Sequence, residues 1–182
     1  MDKKAFRKEV LEKIAALPEE YIASSNRGIY ENFISMPEFI NAKSIFAYIS
    51  EKREPDTIKI IEKALEMGKT VALPVSYEGG VMVPKVVKSL EGLEVGLYGI
   101  LAPSENAPTL SENEVDLIIV PAVTFNKSGY RLGRGGGYYD RFLSKATALS
   151  VGLGREKLIC DVPLEKHDMP VKYLVTEERV YK

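Results

Sequence analysis

Ten consecutive residues, Arg131-Leu132-Gly133-Arg134-Gly135-Gly136-Gly137-Tyr138-Tyr139-Asp140, have the types and spacing that could do chemistry. Four glycines without Cβ atoms admit positive φ and let successive N–H groups converge on one concavity, a backbone cradle for an anion. Arg131 and Arg134 add fixed positive charge and forked donors matched to phosphate oxygens. Asp140 supplies a carboxylate, which beside a polyphosphate is suited to holding Mg²⁺ directly or through water. Glycine-rich segments also occur as mere connections, so the flanking elements decide between the two readings.

Upstream, Val115 to Val123 is a β-branched apolar run that reads as a strand buried on both faces. Downstream, Tyr138 to Lys145 spaces Tyr138 and Phe142 helically, which predicts a helix starting at or near Gly137. Strand, glycine loop and helix in that order would turn a helix N-terminus toward a phosphate.

The elements that must position this stretch follow from periodicity. Lys3 to Leu17 places Phe6, Val10, Ile14 and Leu17 on one helical face, with Asp2 as N-cap and Pro18 as the stop. Its first turns carry Lys3, Lys4, Arg7 and Lys8, which oppose the helix dipole, a local conflict that points to function. Glu19 to Phe33 is a second helix and Ser44 to Ile49 a strand, followed by a polar loop from Ser50 to Glu54. Asp56 or Thr57 then caps a helix ending at Gly68, and Thr70 to Val75 is the next strand. Strand, helix and strand of this length form a βαβ crossover, so the sheet is at least partly parallel. Ligands of such sheets collect beyond the carboxyl ends of the strands, which puts the Ser50 to Glu54 loop and the glycine loop on one rim.

Gly68-Lys69-Thr70 imitates the end of a P-loop, but Lys63 stands where that motif needs Gly and the segment runs from helix into strand. It reads as a helix C-cap followed by a strand start. Val81 to Val87 reads as a peripheral strand because of Pro84. Gly92 to Asn113 reads as a surface connection, and Ala148 to Leu153, Tyr173 to Thr176 and Arg179 to Tyr181 as strands. Lone Cys160 excludes an intrachain disulfide and reads as a small buried hydrophobe, His167 as satisfied or solvent-facing rather than a general base, and Asp168 by itself as a turn residue.

The 182 residues, net charge −1, suffice for one domain spanning 1–182. No global field draws the chain to nucleic acid or an anionic membrane, so an anion site must be local. The charged start leads into no apolar stretch of signal or membrane length, and a cytoplasmic protein is expected.

With those residues in view, the chain resembles the 5-formyltetrahydrofolate cyclo-ligase family, also called methenyltetrahydrofolate synthetase. The resemblance is carried by the basic first helix, the Ile49 to Glu54 loop, Val120-Pro121 through Phe142, and Pro163 to Asp168; the Arg131 to Asp140 segment is its most specific part. It implies a single-domain three-layer α/β sandwich of the sugar-phosphate isomerase and CoA-transferase type, with a largely parallel central sheet flanked by helices. It implies ATP as co-substrate, Mg²⁺ as cofactor, and cyclisation of 5-formyltetrahydrofolate to 5,10-methenyltetrahydrofolate, with small molecules as the only partners and a monomer as the expected form.

Residue by residue, the resemblance gives Lys3, Lys4 and Arg7 as nucleotide contacts, together with Arg131, Gly133, Arg134, Gly135, Gly136, Gly137, Tyr138 and Tyr139. Ile49 and Glu54 match the folate-contacting loop, with Arg134 to Tyr138 also bordering the folate. Asp140 and Asp168 match the magnesium ligands, and Arg134 and Asp140 are the expected catalytic groups. Some members carry a lysine where this chain has Gly136, and many an acid where it has Asn126. Two rivals remain on residues alone. One is an isomerase or CoA transferase on the same fold. The other is an RNA-binding module stacking bases on Tyr138 and Tyr139, which the near-neutral charge disfavours.

Overall fold

The structure, a computed structural model, describes residues 2–182. Helix α1 (Lys3–Ala15) is capped by Asp2, whose carboxylate accepts the Ala5 N–H at 2.7 Å, as the sequence predicts. Helices α2 (Glu19–Ile34) and α3 (Pro37–Asn41) lead into β1 (Ser44–Phe46), followed by α4 (Ile58–Glu66), β2 (Thr70–Tyr77) and β3 (Val81–Val87). A small hairpin of β4 (Glu94–Val95) and β5 (Leu101–Ala102) interrupts the long connection before β6 (Leu117–Val120). Next come a second hairpin, β7 (Thr124–Phe125) with β8 (Arg131–Leu132), then α5 (Tyr138–Leu143), β9 (Leu149–Leu153), β10 (Tyr173–Val175) and β11 (Val180–Tyr181).

Seven strands form the central sheet in the order β11-β10-β9-β6-β1-β2-β3. The five inner strands are parallel, and β3 and β11 pair antiparallel at the two edges. Because side chains alternate, each inner strand feeds two cores. Ile45, Val71, Leu73, Leu117, Ile119, Val151 and Leu153 pack under α2, α3 and α4. Phe46, Ala72, Ile118, Val120 and Leu174 face Phe142 and Leu143 of α5 and Phe125 of the β7–β8 hairpin. Burial on both faces explains the unbroken apolar run at β6, and the layered, mostly parallel architecture agrees with expectation.

Among the boundaries that differ from the sequence reading, including a strand expected over Val115 to Val123 that spans Leu117–Val120, two bear on the site. The strand expected over Ser44 to Ile49 ends at Phe46, with one further bond from the Ala47 N–H to the Ala72 carbonyl at 3.0 Å. The expected direct passage from β6 to the glycine loop is broken by the β7–β8 hairpin, whose two-residue strands are too short to show a period. Asn126 caps its turn, accepting the Ser128 and Tyr130 N–H groups at 3.0 Å each. Gly68 has φ 73 and Lys69 donates to the Ile40 and Ala42 carbonyls, so the P-loop imitation is structural.

At the C-terminal edge, Glu156 accepts hydroxyl hydrogen bonds from Tyr181 and Thr176. Burial pushes this carboxyl up, but those bonds and the Arg179 charge hold it below its ordinary value of 4.5. A depressed folded-state value means that the contribution is complete above 4.5 and is lost as the pH falls through the depressed value. Glu156→Gln is therefore expected to lower the urea midpoint at neutral pH and to converge with wild type in acid, a comparison made by unfolding across that range.

Candidate active site

Beyond the carboxyl ends of β1, β6 and β9 lies a cleft of about 250 Å³. Its walls are the Lys52 to Pro55 loop, Ala122 to Phe125, Leu153 to Arg155, Arg134, and Leu11, Ile14 and Ala15 of α1. Helix α1 is fixed over this rim by Val10, which joins Val123, Leu132 and Val162, with Phe6 and Ile14 packed against the cluster. A shallow groove that shares Leu11 and Ala15 with this cleft runs along α1 past Lys4, Arg7 and Lys8. Arg7 donates from Nε to the Gly133 carbonyl at 2.7 Å, tying the basic helix to the glycine loop.

The loop after β1 is built by reciprocal hydrogen bonds. Thr57, fully buried, donates to the Tyr48 carbonyl at 2.5 Å and accepts the Ser50 N–H at 3.0 Å, while its own N–H goes to Ser50 Oγ at 3.1 Å. Asp56, one of the two expected caps, accepts the Ile58 N–H at 2.9 Å. Thr57→Val keeps the shape and strands the Tyr48 carbonyl and Ser50 amide; a loss of about 1.5 kcal/mol in unfolding free energy is expected, read from urea midpoints.

Glu54 leans from this loop toward the glycine segment. Its Oε2 accepts the Glu51 N–H at 2.8 Å, and its Oε1 pairs with Arg134 Nη2 at 2.8 Å. Glu51 also pairs with Arg134, at 2.5 Å. Burial works against the Arg134 charge, yet the two carboxylates carry it above its ordinary value. The two loops expected on one rim thus touch. Ile49 is partly buried beside them against the α2–α4 core.

In the glycine loop itself, Gly135 has φ 98 and Gly137 φ 66, conformations that an L side chain rarely adopts. Arg141 reaches back from α5, donating to the Gly136 carbonyl and, at 3.2 Å, to that of Gly80. Helix α5 does begin after Gly137, but it has only six residues, so the local amides outweigh any macrodipole in the loop's pull on an anion. Tyr138 donates to the Tyr77 carbonyl at 2.9 Å. Tyr139 points inward: its ring stacks on Phe46 and its hydroxyl is buried without a partner among the described residues. Burial and the nearby Glu54 charge push this phenol up.

Arg131 is also turned inward. It lies on β8, 6% exposed, donating to the Met169 carbonyl and to Asp140 Oδ1 at 2.6 Å each. Burial pulls this guanidinium down and Asp140 opposes the effect. Asp140 Oδ1 also accepts the Met169 N–H at 3.4 Å, which brings Asp140 beside the neighbour of Asp168. Asp168 in turn receives Lys3 at 2.7 Å on both oxygens and the Glu165 N–H at 2.7 Å. Burial raises the Asp168 carboxyl, but the Lys3 hydrogen bond, the Glu165 amide and the Lys3 and Arg131 charges hold it below the usual aspartate value. Lys3 shifts the complementary way, its two acids overcoming burial. Lys4 and His167 are exposed.

The structure therefore brings together Lys3 with Asp168, Arg7 with Gly133, Arg131 with Asp140, and Arg134 with Glu54. Among the described residues there is no group of three His, Cys, Asp or Glu side chains arranged for a metal. The carboxylates of Asp140 and Asp168 are engaged by Arg131 and Lys3 respectively. Sequence reasoning missed Glu51 and Arg155, whose only signal was charge just past an apolar strand, and Arg141, which lies in α5 directly after the glycine segment.

Fold and site together define an α/β enzyme whose polar groups meet on the carboxyl rim of a parallel sheet. The family model for the 5-formyltetrahydrofolate cyclo-ligase family matches residues 1–177. A 5-formyltetrahydrofolate cyclo-ligase from Mycolicibacterium smegmatis is 33% identical over 150 residues, covering 77% of this chain and 76% of the relative. A probable 5-formyltetrahydrofolate cyclo-ligase from Caenorhabditis elegans is 32% identical, covering 94% and 89%. In structure, a 5,10-methenyltetrahydrofolate synthetase from Aquifex aeolicus superposes with a TM-score of 0.88 at 36% identity, covering 100% of this chain and 93% of that one. The Mycoplasma pneumoniae synthetase, at 23% identity and a TM-score of 0.79 over 97% and 99% of the two chains, shares the fold. The chain belongs to the 5-formyltetrahydrofolate cyclo-ligase family.

Proposed function

We propose that this enzyme closes 5-formyltetrahydrofolate to 5,10-methenyltetrahydrofolate at the expense of ATP. The formamide oxygen is a poor leaving group. Its attack on the γ-phosphorus forms a P–O bond and releases ADP. Attack of the 10-position nitrogen on the activated carbon then forms the ring C–N bond, and departure of phosphate with loss of the nitrogen's proton leaves the methenyl cation. Phosphoryl transfer asks a protein mainly for in-line positioning and charge neutralisation.

The residues on the rim suit both tasks. Gly133, Gly135, Gly136 and Gly137 offer amides to the phosphates, Arg134 and Tyr138 border both substrates, and Lys3, Lys4 and Arg7 add charge from α1. Arg131 and the buried Tyr139 support the loop from beneath. Glu54 accepts hydrogen bonds from the pterin N–H edge, and Ile49 lies against the ring. Asp140 and Asp168 would hold Mg²⁺, which when bound supplies charge neutralisation at the phosphates. Cation and carboxylate are already paired at Lys3–Asp168 and Arg134–Glu54, so binding exchanges partners rather than exposing bare charges.

The observation that carries this reading is the Arg134–Glu54 contact, because it sets the phosphate-type loop directly against the folate-type loop. Mixing the protein with ATP, Mg²⁺ and 5-formyltetrahydrofolate tests it: the methenyl chromophore should grow in, and with any one component omitted it should not. No chromophore with all components present rejects the reading.

A further inference from the structure

Strand β9 ends at Leu153 and the chain crosses the cleft floor at Gly154 and Arg155. Arg155 is 2% exposed, and no carboxylate lies within 4.0 Å of it among the described residues. A buried guanidinium without a counter-ion is costly and persists only when its donors are well matched. Here they are. Nε donates to Ser25 Oγ at 3.0 Å, Nη2 to Asn26 Oδ1 at 2.7 Å and to the Glu54 carbonyl at 3.1 Å, and Nη1 to the Arg53 carbonyl at 2.9 Å. One side chain thus clamps two successive carbonyls of the loop to helix α2.

The clamped loop is locally unfavourable. Arg53 has φ 74, a left-handed conformation that a long side chain seldom adopts unless its surroundings impose it. Asn26 Oδ1 also accepts the Asp56 N–H at 3.4 Å, so the α2 anchor grips the loop on both sides of Glu54. With the Arg53 and Glu54 carbonyls turned inward, the Glu54 side chain is left facing Arg134 across the cleft.

We propose that Arg155 is a positioning residue for the pterin site: it holds the Arg53–Glu54 backbone in the conformation that aims the Glu54 carboxylate at the substrate. This rests on the cyclo-ligase reading. The nucleotide groups, on α1 and the glycine loop, receive no hydrogen bond from Arg155 and are reached from it only through the exposed Glu54–Arg134 pair, so the larger effect falls on the folate.

Arg155→Lys keeps a cation but cannot make four directed bonds, Arg155→Met removes the charge, and Asn26→Ala removes one anchor. In Arg155→Lys, KM for 5-formyltetrahydrofolate should rise about tenfold while KM for ATP stays within about twofold, with a smaller rise of the same pattern in Asn26→Ala. Amides of residues 50–54 should exchange hydrogen faster in both. A merely structural role would lower the thermal midpoint and the active fraction and leave both KM values alone, and that result overturns the assignment, as does a parallel rise in both. If Arg155→Met does not fold, the other two variants decide. A wild-type chain that forms no methenyl product overturns the cyclo-ligase reading and this assignment with it; an active wild type whose Arg155→Lys variant keeps its folate KM overturns this assignment alone.

Discussion

Asp140→Asn is expected to keep the fold and to lose turnover by roughly a hundred- to a thousandfold, the scale seen when one electrostatic contact to the reacting centre is removed. Asparagine preserves the size of the side chain and an oxygen for the Arg131 fork, which now donates at 2.6 Å. What it removes is the negative charge. Arg131, 6% exposed, then keeps an acceptor but loses its paired carboxylate, with the Asp168 charge remaining nearby, and about 2 kcal/mol of stability is the expected accompanying loss. The two consequences are separable. Thermal unfolding reads the loss of stability, and steady-state turnover with magnesium varied reads the loss of turnover. Calorimetry adds a readout independent of turnover: ATP binding should depend on Mg²⁺ in wild type and lose most of that dependence in the variant. Turnover within threefold or so of wild type would remove Asp140 from the metal role.

Arg134→Ala is expected to cost about 2 kcal/mol or more of transition-state stabilisation, roughly a thirtyfold fall in kcat/KM. Its stability should barely move, because the guanidinium is 61% exposed and its pairs with Glu51 and Glu54 are screened by solvent. A large kinetic effect with a small thermal one is the signature of a group kept for substrate. Arg134→Lys should recover only part of the loss, since a point charge cannot replace a planar fork. Unchanged kcat/KM in the alanine variant would take Arg134 out of the site.

How much could be read from the chain beforehand depended on whether a feature was local. The Asp2 cap, the doubly buried β6 and the C-cap identity of Gly68 rest on a few neighbouring residues, and each was legible. So was the shared rim of the two loops, because a βαβ crossover constrains where strand ends lie. The inward turn of Arg131 was not legible. That depends on β8 lying in a two-residue hairpin whose register with β7 sets which way its side chains face. Arg155 was invisible for a related reason: its partners Ser25 and Asn26 lie 130 and 129 positions away, and no periodicity links them.

The Lys3–Asp168 contact joins positions 165 residues apart. During vectorial synthesis, α1 emerges 165 positions ahead of the acid that its lysine meets. A nascent chain stalled before Asp168 would therefore lack that contact, so the pairing should form abruptly at that point of translation rather than build up with length.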